Sequence, residues 1–510
     1  MFTLKSLPGI ATKQAADVLL ILHPQGVPLA SNIALMSADE ALAGGLMTLL
    51  KQDHFSGKSG ESVTFPTLGN LPVRKVVVVG LGEKTKLDLD GFRKFGAQLI
   101  KRLKQLKVKT AAIAWPEVTI QGESVQDMAE ALSEGMWLGA YVFHEFKGRI
   151  HEAQMKDKQD IEEVIIVDKQ KATVNMIQRG IEEATIFADG TLLARTLVNT
   201  PPNHMLPADL VSVAKKVASE GKRVSITVLD EQKMKDLGMN AALAVAQGSY
   251  NGAKGAHLIY RPKTKAKKRI VLVGKAVTFD SGGLSIKPAD GMMTMKCDMA
   301  GAAAVIGVFQ ALTKLDLNVE VHGIFLAVEN MPSGNAYRPG DVVKAMDGTT
   351  IEVLNTDAEG RVTLADALSY ANTVKPDVII DLATLTGACV VALGDDISAI
   401  MTHDKKLNDG LMEASKQAGE YLWPLPLHEP YQELIKSKVA DIKNIGGGRA
   451  GGAITAGLFL QHFVGKTPWA HLDIAGPAYI EKETRPDMPV GGTGYGVRTL
   501  LRYLQGIQSS

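Results

Sequence analysis

RIVLVGKAVTFDSGG, residues 269–283, is a run of branched apolar residues that gives way to charge and glycine at its carboxyl end. It reads as a β-strand, RIVLVGKAVTF (269–279), running into a polar turn. Three further strand candidates share the same half of the chain: VEVHGIFLAVE (319–329), TTIEVLN (349–355) and PDVIIDLATL (376–385). The first three of the four are followed by polar, glycine-containing segments. In open α/β sheets, sites gather at the carboxyl ends of strands, so the chemistry is to be sought there.

The amino-terminal part carries the same signature. Short β-rich runs occur at ADVLLIL (16–22), KVVVVGL (75–81), TAAIAW (110–115) and EEVIIVD (162–168), with helical patterns between them, such as Leu87 to Leu106. Between the halves, Val174, Ile177, Ile181, Ala184, Ala188 and Leu192 recur at steps of three and four and share one helical face. That helix is expected to end before NTPPN (199–203), whose paired prolines cannot continue it. The expected fold class is therefore α/β: two α/β domains with mixed or mostly parallel sheets, over 1–170 and 199–510, joined by a linking helix over 171–198. A chain of 510 residues exceeds what one core normally organises, which agrees.

Composition narrows the class. Hydrophobic residues make up 45% and charged residues 22%, ordinary for a globular protein. Lys plus Arg number 56 and Asp plus Glu 55, so no global charge calls for nucleic acid or an anionic membrane. Two cysteines, Cys297 and Cys389, rule out a disulfide framework and a thiolate zinc cluster. No secretory signal and no membrane-spanning apolar run is read, and the expected location is the cytoplasm.

Two segments hold the candidate chemistry. One is VGKAVTFDSGGLSIKP (273–288) with MKCDMAGAAAV (295–305); the other is NTDAEGR (355–361). Together they supply Lys275, Asp280, Lys287, Asp298, Asp357, Glu359 and Arg361. Four carboxylates without neighbouring histidine suit hard cations. Asp357 and Glu359 are one residue apart, a spacing that points both side chains the same way in extended or turn backbone. Carboxylates packed together repel, and divalent cations neutralise them economically. Two such ions, Mn²⁺ or Zn²⁺, can share bridging carboxylates and activate a water. Alone, Asp-Ala-Glu is a solvated turn and GKAVTFDSGG a glycine-rich bend; their joint occurrence past strands favours a site.

These segments resemble the two signatures of the leucyl aminopeptidase family of dinuclear metallopeptidases. The resemblance covers about residues 199–500, including NTPPN and HLDIAGPA (471–478). Ala276 replaces the family's usual Gly and Val362 its common Leu, both at positions that are not ligands. The resemblance implies that Lys275, Asp280, Asp298 and Glu359 bind a tighter metal, and Asp280, Asp357 and Glu359 a more exchangeable one. It implies that Lys287 polarises the scissile carbonyl and stabilises the oxyanion. Arg361 would hold a bicarbonate ion serving as general base. Met295, Asn355, Ala358, Thr384, Leu385, Gly387 and Ala475 resemble the family's side-chain pocket, mostly apolar and suited to leucine or methionine. The implied substrates are peptides with a free N-terminus, and the implied assembly is a homohexamer with its active sites facing an interior cavity.

Other features have plainer readings. GLGEK (80–84) is a strand-end turn, and none of the 11 histidines clusters at metal-ligand spacing. Cys297 is read as packing, in a strand-like stretch that turns it away from Asp298. GGGRAGGAITAG (446–457) lacks the ending of a phosphate loop and is read as close packing or a subunit contact. RPKTKAKKR (261–269) holds six basic residues in nine. A DNA-binding role is the competing function, since some bacterial members of the family bind DNA, but a solvated loop is the favoured reading. Another metal hydrolase, such as a phosphoesterase, is disfavoured by the absence of histidine ligands.

Overall fold

The computed structural model describes residues 2–155, 160–446, 448 and 450–509. The chain divides into two compact units, Met1–Ala188 with Glu483–Pro489, and Asp189–Lys482 with Val490–Ser510. The division falls inside one helix, Lys171–Asn199, whose expected stripe of Val174, Ile177, Ile181, Ala184 and Ala188 is buried.

The first unit is built on six strands: β1 (Thr3–Pro8), β2 (Ala16–Gln25), β3 (Ser62–Pro66), β4 (Val73–Glu83), β5 (Thr110–Ala114) and β6 (Glu163–Asp168). Their order is β1-β6-β5-β2-β4-β3, and every pair is parallel except β3 with β4. The four apolar runs of the sequence are β2, β4, β5 and β6, the inner strands. Val18, Leu20 and Leu22 of β2 face one core cluster and Leu19 and Ile21 the other. Burial on both faces makes such runs continuously apolar. The two edge strands, β1 and β3, carry weaker patterns. GLGEK is not the expected turn: β4 runs on to Glu83 before a short 3₁₀ turn.

The second unit carries an eight-stranded sheet. Its strands are β7 (Val224–Leu229), β8 (Lys254–Tyr260), β9 (Arg269–Asp280), β10 (Glu320–Asn330), β13 (Val378–Ala383), β14 (Ile397–Met401), β15 (Tyr421–Pro424) and β17 (Trp469–Asp473), with β11 (Val342–Lys344), β12 (Thr350–Glu352) and β16 (Ile442–Lys443) in a small separate sheet. The large sheet runs β15-β14-β17-β13-β9-β10-β8-β7, and its four central strands, β17, β13, β9 and β10, are mutually parallel. TTIEVLN departs from expectation. Only Thr350–Glu352 is strand, outside the main sheet, because this short segment pairs with just two other short strands.

The helix Ala300–Leu312 lies against β9 and β13 without room for side chains between. A Cβ on Gly274 would meet the Ala302 backbone nitrogen at 2.5 Å, and one on Gly301 the Leu382 carbonyl oxygen at 2.1 Å. The stretch Ala289–Leu312 has the length and hydropathy of a membrane span, but it is mostly buried and packs as core.

Candidate active site

β9 carries Lys275 in its body and Asp280 as its last residue. The turn beyond it, with Gly282 and Gly283 at φ +85° and +64°, leads to Lys287. Asp298 follows the 3₁₀ turn Met295–Cys297, one residue before Met299, which caps the helix Ala300–Leu312. Asp357 sits in a turn, and Glu359 and Arg361 open the helix Glu359–Thr373. A helix N-terminus favours carboxylates beside it. Lys275 is thus inside a strand, and the second motif precedes a helix more than it follows a strand.

Packing brings these residues together. Lys275 Nζ lies 2.7 Å from Asp298 Oδ1, 2.9 Å from Glu359 Oε1, and donates to the Thr384 carbonyl at 2.9 Å. Gly360 makes room for this: a Cβ there would stand 2.4 Å from Lys275 Cε. Lys287 Nζ lies 2.8 Å from Asp280 Oδ2 and 2.5 Å from Asp357 Oδ1. Asp280, Asp357 and Glu359 each offer a carboxylate oxygen, all within 4.8 Å of one another, an arrangement able to hold a metal ion. Lys275, Asp280, Asp298, Glu359 and Arg361 are all buried.

The electrostatics describe a cluster short of positive charge. Burial raises the Asp298 carboxyl well above its ordinary value; the pull of Lys275 opposes this, while Glu359 and Asp280 add to it. Burial likewise raises Asp280, with Glu359 adding, and it raises Asp357. Burial alone would lower Lys275, but Asp298, Glu359 and Asp280 outweigh it and raise it. Lys287 is raised against burial by Asp280 and Glu359. Upward shifts on both partners mean that the cluster as a whole favours retaining positive charge. Four carboxylates face two ammonium groups.

Unpartnered atoms say the same. Asp298 Oδ2 and Glu359 Oε2 are buried without a hydrogen-bond donor. Buried acceptors left unpaired are costly, and divalent cations would satisfy these. The donor set therefore fits metal. Arg361 donates through Nη1 to the Asn444 carbonyl at 2.8 Å, while its buried Nε has no acceptor. Burial brings Arg361 down to about 10, against Glu359 and Asp473.

Of the expected pocket residues, Thr384 and Asn355 bond directly to members of this cluster. Thr384 Oγ1 donates to Asp298 Oδ1 at 2.8 Å. The backbone N–H groups of Leu385 and Ala475 both donate to Asp473 Oδ1 at 3.2 Å, and Thr386 Oγ1 to Asp473 Oδ2 at 2.7 Å. Asn355 Oδ1 accepts from Asp357 N–H at 2.8 Å, and Ala358 caps the helix that Glu359 opens. Met295 begins the 3₁₀ turn before Asp298, and Gly387 begins the helix Gly387–Leu393, exposed. Sequence reading missed Asn330, Thr356 and Asn444, buried polar residues that hold the ligand-bearing turns, and Asp473, which holds the Leu385–Thr386 and Ala475 backbones. Asn330 and Asp473 had a usable signal, a polar residue at the carboxyl end of a buried strand.

Cys297 is buried as expected, but in a 3₁₀ turn and not a strand; burial and Asp298 push its thiol up to about 12. Within the glycine-rich stretch 446–457, Gly447 and Arg449 lie outside the described residues, while Gly452–Gln461 is a helix. In the basic run, Lys263 pairs with Asp316 at 2.7 Å and Arg269 with Glu320 at 2.6 Å.

Comparison with known proteins agrees with this geometry. Residues 192–501 match the description "Cytosol aminopeptidase family, catalytic domain" and residues 27–149 its N-terminal domain. A probable cytosol aminopeptidase of Persephonella marina is 44% identical over 467 residues, covering 91% of this chain and 92% of the relative. One of Aquifex aeolicus is 45% identical over 460 residues, covering 90% of each. Among solved structures, a tomato leucine aminopeptidase mutant superimposes with a TM-score of 0.86 at 36% identity, covering 99% of this chain and 96% of that one. The bottromycin maturation enzyme BotP in complex with Mn gives a TM-score of 0.85 at 34% identity, covering 97% of this chain and 100% of that one.

Proposed function

The chain belongs to the cytosol aminopeptidase family, a family of metal-dependent aminopeptidases, and we propose on that premise that it is a dinuclear enzyme of leucyl type. It removes N-terminal residues, leucine and other apolar ones preferred, from peptides with a free α-amine. The observation that carries this reading is the cluster in which Asp280, Asp357 and Glu359 converge within 4.8 Å beside the buried Lys275–Asp298 pair.

Lys275, Asp280, Asp298 and Glu359 hold the tighter cation, and Asp280, Asp357 and Glu359 the second. When bound, the two ions, Mn²⁺ or Zn²⁺, supply the Lewis acidity and water activation that peptide hydrolysis needs. The manganese complex of BotP, a structure this chain resembles, supports a divalent cation here. Lys287 has a 15% exposed side chain against 4% for Lys275, so Lys287 is the lysine that can reach a substrate carbonyl and stabilise the oxyanion. Arg361, with a buried donor unfilled, would hold a planar bicarbonate, which would supply a general base there. Asp298 fixes the α-amine and so selects the first residue. Met295, Asn355, Ala358, Thr384, Leu385, Gly387 and Ala475 form the pocket for its side chain. The working assembly is a homohexamer in the cytoplasm.

A panel of aminoacyl-anilides tests the reading with metal-stripped and remetallated protein. Leucyl and methionyl anilides are cleaved only after Mn²⁺ or Zn²⁺ returns, and N-acetylated ones are not cleaved. Full activity in demonstrably metal-free protein sinks it.

A further inference from the structure

Asn330 ends β10, fully buried, and touches both ligand-bearing segments. Its Nδ2 donates to Asp280 Oδ1 at 2.8 Å and to the Thr356 carbonyl at 2.9 Å. Its own carbonyl accepts Ser281 N–H at 3.0 Å and Ser281 Oγ at 2.7 Å. A break in register puts it there. β9 and β10 pair Val328 with Val277 but Glu329 with Phe279, so Thr278 is the extra residue of a bulge and Asn330 falls opposite Asp280. Bulges beside sites re-aim side chains in this way.

Other bonds stitch the two turns together: Thr356 Oγ1 to the Gly282 carbonyl at 2.7 Å, Ser285 N–H to Thr356 Oγ1 at 2.8 Å, and Tyr337 Oη to the Thr356 carbonyl at 2.9 Å. None of these reaches a carboxylate. The Asn330 amide does, with one arm on Asp280 and the other on the residue before Asp357. Together with Gly282 N–H, at 2.9 Å, it occupies Asp280 Oδ1 and leaves Oδ2 for the cluster. A neutral amide does this without adding charge. A lysine at this position would compete with a cation.

We propose that Asn330 is a positioning residue for the second, more exchangeable cation, holding Asp280 and the Asp357 turn at the separation that cation requires. The inference rests on Asp280 and Asp357 being its ligands, as assigned above. Partners one shell behind metal ligands typically govern affinity by about 10- to 100-fold.

The test is equilibrium dialysis of metal-stripped full-length protein against Mn²⁺ alone, for the wild type, Asn330→Ala and Asn330→Leu, with Tm recorded with and without Mn²⁺. Leu keeps the branching at Cγ and removes the hydrogen bonds. Because Asp280 serves both cations but the Asp357 turn only the second, the expected result is a Kd for the second ion raised about 10- to 100-fold in both variants, with a smaller rise for the first. The Tm gain from saturating the second site should shrink accordingly, and excess Mn²⁺ should recover it. Two ions bound with wild-type affinities in both variants overturns the role of Asn330. So does equal loss of both ions, or failure of both variants to assemble, which would mark a residue of the fold alone. A wild type that takes up fewer than two ions overturns the site assignment itself, and this inference with it.

Discussion

Lys275 Nζ stands 2.7 Å from Asp298 Oδ1, and both side chains are all but sealed from solvent. Without metal the contact is an ion pair. As the metal ligand proposed above, Lys275 cannot keep that charge, because an ammonium group has no lone pair to give, and it would bind as a neutral amine. Arginine keeps the charge and cannot release its proton in a protein. Lys275→Arg should therefore lose the tighter metal and nearly all activity while the fold persists. Metal stoichiometry on purified, correctly assembled variant decides it; two ions and wild-type activity would remove Lys275 from the ligand set.

Lys275, Asp280 and Asp298 all hold their protons more strongly than ordinary groups of their kind. Each proton still bound must leave when a cation enters. Metal uptake should therefore release protons, and affinity should weaken as pH falls. Chelation should abolish activity, and Mn²⁺ or Zn²⁺ should restore it. Calorimetric titration of Mn²⁺ in buffers of different ionisation heat counts the protons; an affinity flat across pH would contradict the assignment.

Lys287 bridges Asp280 and Asp357 from the solvent side. Its charge matters most as the oxyanion forms, so Lys287→Ala should lower kcat on the order of a hundredfold or more with little change in substrate binding. Arg361→Ala should be milder, and added bicarbonate should help it less than it helps the wild type. Steady-state kinetics on a leucyl anilide separate kcat from KM; an unchanged kcat excludes Lys287.

Away from the site, His257 Nε2 and His322 Nδ1 are 2.8 Å apart, His322 Nε2 is 2.8 Å from Glu320, and Tyr370 lies 3.2 Å from His257 Nδ1. Neutral rings satisfy this chain. Burial first, then His322, lowers His257 from 6.5 to about 4. The folded state therefore binds fewer protons than the unfolded state between those values. Stability should be fully present above about pH 6.5 and fall as pH drops toward about 4, by up to roughly 1.4 kcal/mol per pH unit for this group. His257→Gln should flatten that slope in urea titrations; an unaltered slope would show that His257 titrates normally.

Much of this protein was legible along the chain. The inner strands were visible because burial on both faces leaves an unbroken apolar run, as at 16–22 and 269–279. The candidate ligands were visible because they crowd into short segments. TTIEVLN misled because alternation over a few residues fits a strand but does not say whether a partner strand is long enough to extend it. Only the tertiary structure decided that Lys275, in mid-strand, meets Glu359, across packing that Gly360 alone leaves open. It alone decided that Asn330 faces Asp280 through a bulge, and that Asp473 holds the Leu385 and Ala475 backbones. Periodicity and motif spacing are written between sequence neighbours. A hydrogen bond between residues 50 or 88 positions apart depends on how separate elements pack, and no local pattern records that distance.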